Sequence, residues 1–268
     1  MVWRWAPPGA LPAAKSVVNL LSSYLVEIGG MVRLGRNTLR YALRRPFEVD
    51  LWVEQLFQLG VKSLTITNLT LLFTGMVLSL QTAYSLAAYG GKSFVGEVVA
   101  LSVVRELGPV LTALMVAGRV GAGVTAELGS MAVTEQVDAM RALAANPIKK
   151  LVVPRVGALL IVLPMLTVLA ITVALFGGLL MAMLEIGQSR LYFMNHVLSA
   201  LSVHDVVSGV GKTVFFALFI GIIACYNGLH ASGGADGVGK ATTNTVVLSS
   251  ISVIVSDFFL TKLFIMVL

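Results

Sequence analysis

Residues 156–184 read VGALLIVLPMLTVLAITVALFGGLLMAML and contain no Asp, Glu, Lys or Arg. Residues 63–91, SLTITNLTLLFTGMVLSLQTAYSLAAYGG, also contain none. A membrane-spanning helix needs about 20 mostly apolar residues to cross about 30 Å of hydrocarbon, so each stretch is long enough to span. Two further stretches, about 205–229 and 244–268, qualify with few interruptions: Lys212 in the first, and Asp257 and Lys262 in the second.

The composition of the whole chain also indicates a membrane protein. Of its 268 residues, 57% are hydrophobic and 12% are charged, whereas about a quarter of a soluble domain is charged. This excludes an ordinary soluble enzyme, a disordered chain or a fibrous repeat, and it argues against a nucleic-acid binder despite the net charge of +6. The single cysteine, Cys225, excludes an internal disulfide, and the three histidines lack the spacing of metal ligands, so no metal site is predicted.

The segment of about 93–128 is apolar but holds five charged residues, and it forms either one long helix or two short ones. A single crossing places thirteen Lys and Arg residues in the cytoplasm and two, Lys92 and Arg190, outside. Splitting the segment moves four of those cations outside, against the positive-inside rule. The sequence therefore predicts an all-α, polytopic membrane protein with five transmembrane helices and a cytoplasmic N-terminus.

Residues 1–62 are predicted to form a separate unit that precedes the membrane-spanning region of 63–268. Apolar residues recur at helical spacing from Val17 to Val32, and Arg33, Arg36, Arg40 and Arg44 form a basic stripe at spacings of three and four. Pro46 starts a second amphipathic segment, with Glu48 and Asp50 in its first turn. We expect these helices to lie in the membrane interface, either contacting anionic headgroups or only orienting the protein.

The sharpest local feature is Arg105-Glu106-Leu107-Gly108-Pro109. Counted from about residue 94, Arg105 lies about 17 Å deep, near the middle of the bilayer, and Gly108 and Pro109 should kink the helix there. Intramembrane charges usually face a cavity or a partner. The pair either lines a polar pocket for an anionic headgroup or forms structural ion pairs, for example Lys212 with Glu106. Asp257 and Lys262, five residues apart, are expected to pack inward separately.

The cytoplasmic loop of 130–150 is predicted to contain a short helix over about 131–146. Thr134 is a candidate cap, Glu135 and Asp138 suit the N-terminal dipole, and Asn146-Pro147 ends the pattern. Such a helix is either a docking element for a soluble partner or a solvated connector. The loop of 229–245 has the spacing of a phosphate-binding loop, but Ala241 replaces the required Ser or Thr, so no ATP hydrolysis is expected from this chain.

Several long motifs occur in a characteristic order. They are VALSVVRELGPVLTALMVAGR at 99–119, TAELGSMAVTEQVDAM at 125–140, PIKKLVVPR at 147–155, ATTNTVV at 241–247 and SDFFLT at 256–261. Over about 60–268 the chain resembles the MlaE-type permeases, which are the membrane subunits of ABC transporters that work with MCE proteins.

The resemblance implies a homodimeric permease of the bacterial inner membrane. It implies a cytoplasmic ABC ATPase that binds ATP and magnesium, so that this chain is not itself an enzyme and carries no cofactor. It further implies a periplasmic MCE-domain partner, in some systems a STAS-domain subunit, phospholipid as cargo, and a contribution to outer-membrane lipid asymmetry.

The resemblance also assigns residues. Arg105, Glu106 and Lys212 match polar positions of the family's lipid pocket, and Leu78 and Tyr89 match apolar and aromatic positions that line it. The segment of Thr134, Glu135, Gln136, Asp138 and Met140 corresponds to the coupling helix that docks in the ATPase.

Two other classes of function stay open from the residues alone. An ion- or proton-coupled secondary transporter could use Glu106, Lys212 and Asp257 as a relay, although such carriers ordinarily show two similar halves. An intramembrane lipid-modifying enzyme could use His204 and Ser208, four residues apart, but no orienting carboxylate is fixed by the sequence.

Overall fold

The computed structural model describes the backbone of residues 10–42, 49–185 and 187–267 and the side chains of 25–42, 50–185 and 187–266. Within these residues the chain is helical and contains no strand. Five helical segments of the described chain are long and apolar enough to cross a membrane: Asp50–Ala87, Lys92–Val133, Ile148–Glu185, Val203–Leu229 and Gly234–Met266. The predicted number of spans and the single crossing of the second span are confirmed.

Two helices, α1 (Ala10–Ala42) and α2 (Val49–Leu59), precede the span helix α3 (Leu64–Ala87), which follows α2 through one 3-10 turn. Helix α1 packs on the rest of the protein through Leu34 and Thr38, while Leu25 and Val32 are exposed. The apolar stripe therefore does not face the protein core. Arg44, Pro46 and Glu48 lie outside the described residues, as do the side chains at the start of the stripe.

The second span is one long helix interrupted by two π-helical turns. Its segments are α4 (Val95–Ser102), a π turn at Val103–Leu107, α5 (Gly108–Val116), a π turn at Ala117–Gly121 and α6 (Ala122–Val133). The disturbance expected at Gly108-Pro109 takes the form of the first π turn, directly before the proline. Because Pro109 cannot donate a backbone hydrogen bond, a widened turn accommodates it without ending the helix.

The remaining helices are α7 (Gln136–Ala142), α8 (Val153–Glu185), α9 (Arg190–Ala200), α10 (Val203–Leu229) and α11 (Gly234–Val267), and a third π turn at Ile148–Val152 leads into α8. Residues 234–245, predicted as part of a loop, are instead helical, because α11 begins directly after a short turn with positive φ angles at Gly233 and Gly234. His196 lies in α9 and His204 in the first turn of α10.

Gly75 and Gly209 each allow two neighbouring helices to approach closely. A Cβ atom at Gly75 of α3 would lie 1.9 Å from the carbonyl oxygen of Ala174 in α8. A Cβ atom at Gly209 of α10 would lie 2.1 Å from the carbonyl oxygen of Val104 in the first π turn. Small residues at such crossings let helix backbones touch in a membrane. The second contact brings α10, and with it Lys212, against the Arg105 turn.

Candidate functional site

A cavity of about 660 Å³ opens beside the first π turn. It lies between this turn, the first half of α10 and the end of α11. Its lining combines charged and hydroxyl side chains with apolar ones: Leu101, Ser102, Arg105, Glu106, Ser202, His204, Asp205, Ser208, Lys212, Thr261, Phe264 and Ile265. Three predicted site residues, Arg105, Glu106 and Lys212, therefore meet at one cavity.

Lys212 is the centre of a buried polar cluster, because its side chain is only 2% exposed. Its Nζ donates to the carbonyl oxygen of Arg105 at 3.0 Å and to Glu106 Oε2 at 2.9 Å. It also lies 3.1 Å from Asp257 Oδ1 and 2.6 Å from Thr261 Oγ1. An ammonium group has three N–H donors, so these four oxygen atoms saturate it.

The ion pair of Lys212 with Glu106, one of the two alternatives from the sequence, is thus present. Asp257 packs inward as predicted. Lys262 does not: its side chain is exposed, because five residues correspond to about 140° around a helix and place it away from Asp257.

Arg105 and Glu106 keep part of their side chains open to the cavity. Arg105 Nε donates to Asp205 Oδ1 at 2.6 Å, and the Arg105 side chain is 53% exposed. Glu106 is 39% exposed. The two neighbours bind different partners, as expected from their angular separation on a helix. Among the described residues the two terminal nitrogens of Arg105 have no hydrogen-bond partner, whereas every donor of Lys212 is used.

Asp205 was not identified from the sequence, although it fixes Arg105. Its carboxylate accepts hydrogen bonds from Ser202 N and Ser202 Oγ, both at 2.8 Å, in a capping box at the start of α10. The Ser-x-x-Asp spacing before an apolar run could have predicted the helix start, but not the pairing with Arg105. Ser208 Oγ donates to the Asp205 carbonyl oxygen at 3.0 Å, so it is not held for activation by His204.

Leu78 and Tyr89 do not line this cavity. Leu78 packs, partly buried, against the cluster of Leu71, Val99 and Ile171, and Tyr89 follows α3 with 87% of its surface exposed. Their assignment to a lipid pocket stays a prediction.

Helix α7 stands between two strained residues on the predicted cytoplasmic side. Glu135 and Ala144 have φ angles of 60° and 58°, a left-handed conformation that non-glycine residues rarely adopt. The helix is shorter than predicted, and Thr134 does not cap it: its hydroxyl donates back to the Ser130 carbonyl oxygen at 2.7 Å. The cap prediction was wrong because the preceding helix continues to Val133 and uses Thr134 as its own end.

Asn146 also differs from its predicted role of ending this helix. Its Oδ1 accepts a hydrogen bond from Ile148 N at 3.0 Å and so caps the next helical turn. Glu135, Gln136 and Asp138 are exposed, whereas Met140 packs partly buried against the core.

The comparison with known proteins decides the family. The family model for the permease MlaE matches residues 52–263. This chain belongs to the MlaE permease family. The match includes both π turns of the second span, α7 and the cavity residues up to Thr261.

Named relatives of this MlaE-family chain match about four fifths of it or more. A probable ABC transporter permease protein of Rickettsia felis is 38% identical over 95% of this chain and 98% of its own. One of Synechocystis is 42% identical over 79% of this chain and 80% of its own. The intermembrane phospholipid transport system permease protein MlaE of Haemophilus influenzae is 40% identical over 82% of this chain and 84% of its own. The chain is therefore an ABC transporter permease of the MlaE family and a multi-pass membrane protein.

Proposed function

We propose that this permease moves phospholipid between the inner membrane of a bacterium and a periplasmic MCE-domain partner, and so contributes to outer-membrane lipid asymmetry. The observation that carries the proposal is the cavity at Arg105 and Glu106. An open cationic and anionic pair near mid-membrane is costly unless it serves a polar ligand, and the adjoining Leu101, Phe264 and Ile265 suit the start of an acyl chain.

Arg105 is the residue best placed to bind the lipid phosphate. A guanidinium group forms paired hydrogen bonds with phosphate oxygens, and the Arg105 side chain lines the cavity and is 53% exposed. Lys212 instead holds Glu106 and Asp257 in position. The relatives are named ABC permeases, which does not favour an ion- or proton-coupled carrier.

We further propose that energy comes from a separate ABC ATPase that binds ATP and magnesium and docks on α7. The short helix is exposed at Glu135, Gln136 and Asp138, with Thr134 beside it and Met140 anchoring its inner face. Residues with left-handed backbone conformation, Glu135 and Ala144, flank it on both sides. The N-terminus then lies in the cytoplasm with α7, and residues 1–62 lie at the inner interface.

A homodimer is proposed because the cavity is open and α11 is little covered. Phe258 and Phe259 of α11 are 67% and 63% exposed beside the cavity, and a second copy placed there encloses enough volume for a diacyl lipid. We also propose a STAS-domain subunit as a further cytoplasmic partner.

The test is ATP-dependent lipid movement by the complex. The permease is co-expressed with the ATPase of its operon, reconstituted in vesicles, and assayed with a fluorescent phospholipid and an MCE-domain acceptor. Wild type should transfer lipid only with ATP, and Arg105→Gln should lose most transfer while Arg190→Gln, a matched change at an exposed arginine of α9, retains it. Transfer without ATP, or full transfer by Arg105→Gln, contradicts the proposal.

A further inference from the structure

A second cavity, of about 510 Å³, lies between α2 and the second π turn of the same long helix. Its charged lining consists of Glu54 and Lys62 on one side and Arg119 and Glu127 on the other. The neutral polar groups are the amides of Gln55 and Gln58. No step of the proposed function uses this cavity.

The depth of this cavity matches the headgroups of the cytoplasmic leaflet. Arg119 follows Arg105 by 14 residues, which is about 21 Å along a helix. It therefore lies about 38 Å from the outer end of the span, beyond the roughly 30 Å of hydrocarbon. Its partner Ser63 stands at the corresponding end of the first uncharged stretch. A polar ligand here is at the level where lipid phosphates lie.

The charges of this cavity are incompletely paired. Arg119 Nη1 donates to Ser63 Oγ at 2.6 Å, and the Ser63 hydroxyl donates to the Leu59 carbonyl oxygen at 2.6 Å. Glu127 is engaged by the buried guanidinium of Arg155 at 2.6 Å.

Among the described residues, Arg119 and Lys62 contact no carboxylate and Glu54 contacts no cation; Lys62 donates only to the Gln58 amide. Two cations and one carboxylate thus line an open space without a partner of opposite charge in the described part of the chain. Ser63 is itself buried, so it fixes the position of the Arg119 guanidinium and leaves the other nitrogens free.

We propose that this cavity binds the headgroup of a phospholipid of the cytoplasmic leaflet, with the phosphodiester on Arg119 and Lys62 and a headgroup amine on Glu54. The proposal rests on the proposed function in that the bound lipid is the transported one. A phosphodiester carries one negative charge and offers oxygen atoms to both cations, and an ammonium group completes the pairing of Glu54. The site then loads or releases lipid at the cytoplasmic surface, about four helical turns from the mid-membrane cavity.

The helix surface beside the cavity can receive an acyl chain. A Cβ atom added at Gly118 or Gly123 meets nothing within 4 Å, so the surface there is open. Leu114 and Met115, one turn nearer mid-membrane, continue it with partly buried apolar side chains. The polar headgroup pocket and this apolar surface are contiguous, which is the shape that a phospholipid requires.

The test uses Gly123→Cys as a reporter inside the cavity, because a Cβ atom added there meets nothing within 4 Å. The purified protein in detergent is reacted with an anionic methanethiosulfonate reagent, and labelling is followed by mass spectrometry. Cys225 is buried, and the parent chain measures its background. Gly239→Cys, also at an open position, reports reagent access away from the cavity.

Dioleoyl phosphatidylethanolamine should slow labelling of Gly123→Cys and leave Gly239→Cys unaffected. Dioleoylglycerol, which lacks the phosphate, and glycerophosphoethanolamine, which lacks the chains, should not protect at the same concentration. Equal protection by dioleoylglycerol overturns the headgroup assignment. Equal protection by glycerophosphoethanolamine shows a site for soluble phosphate esters and overturns the lipid assignment.

The side chains are tested in the same assay. Arg119→Gln should raise the lipid concentration for half-protection about tenfold or more, the loss expected for one charged hydrogen-bond pair, while Lys150→Gln leaves it unchanged. Glu54→Gln should weaken protection by phosphatidylethanolamine and not by phosphatidylglycerol. An unchanged half-protection concentration in Arg119→Gln refutes the site, and equal effects of Glu54→Gln on both lipids refute the amine contact.

The outcome is separable from that of the proposed function. If Arg105→Gln abolishes ATP-dependent transfer while lipid never protects Gly123→Cys, the permease function stands and the second site fails. If lipid protects Gly123→Cys but transfer needs no ATP, the site stands and the ATP-driven mechanism fails.

Discussion

Replacing Lys212 by Met tests whether this residue holds the cavity together. The change keeps a long unbranched side chain but removes the ammonium group that four oxygen atoms contact within 3.1 Å. Glu106 and Asp257 then face each other without a cation. Asp257 is 19% exposed and Glu106 is 39% exposed, so water and detergent headgroups relieve part of their repulsion.

The expected loss of stability follows from this partial burial. Removing one partner of a fully buried ion pair costs about 3–5 kcal/mol; partial exposure of the carboxylates reduces this to about 2–3 kcal/mol. At about 2–4 °C per kcal/mol for a chain of this size, the apparent unfolding midpoint should fall by about 4–12 °C. Adding Glu106→Gln and Asp257→Asn should restore most of the loss, because no unpaired charge then remains.

The measurement is thermal unfolding of the purified protein in one detergent, followed by tryptophan fluorescence. Lys240→Met is the matched control, because Lys240 pairs with Asp236 at a site where both side chains are at least 75% exposed, and such surface pairs contribute about 0–1 kcal/mol. If Lys212→Met lowers the midpoint no more than Lys240→Met, or if the triple variant recovers nothing, the reasoning is wrong.

Three further changes test other contacts. Gly75→Ala should destabilise the protein by about 2 kcal/mol or more, since its Cβ would collide with the Ala174 carbonyl, whereas Gly123→Ala should be neutral in the same melting assay. Thr125→Val should cost about 1–2 kcal/mol, because the buried hydroxyl bonds the Ala224 carbonyl at 3.1 Å and a second threonine at 2.9 Å; an unchanged midpoint contradicts this. Asp138→Lys should uncouple ATP hydrolysis from lipid transfer by reversing charge on α7, and unchanged association and transfer in pull-down and vesicle assays refute it.

The spans could be predicted from the sequence because the bilayer imposes a length and a composition. Residues 63–91 and 156–184 contain no charge, and the cost of charge in hydrocarbon makes such stretches easy to recognise. The distribution of Lys and Arg residues between the loops then predicts that the second span is a single crossing. The rise per residue of a helix and the thickness of the bilayer together also predict that Arg105 lies near mid-membrane.

The partners of the charged residues could not be predicted, because they depend on how distant helices cross. Arg105 and Asp205 are separated by 100 residues, and Lys212 and Asp257 by 45. Helix ends were also misplaced where local signals competed. Thr134 has a side chain that can cap the start of a helix. Because α6 continues to Val133, Thr134 instead lies at the C-terminal end of α6.

The two π turns explain why counting residues along the second span fails to predict which way the Arg105 and Arg119 side chains point. In a uniform α-helix, 14 residues correspond to almost whole turns, so Arg105 and Arg119 would face nearly the same side. A π turn holds one residue more than an α-turn and rotates everything beyond it by about 100°. Arg105 accordingly meets Asp205 of α10, whereas Arg119 meets Ser63 at the start of α3. One helix thereby contributes an arginine to each of two cavities on different sides. A uniform α-helix would direct both arginines to the same side.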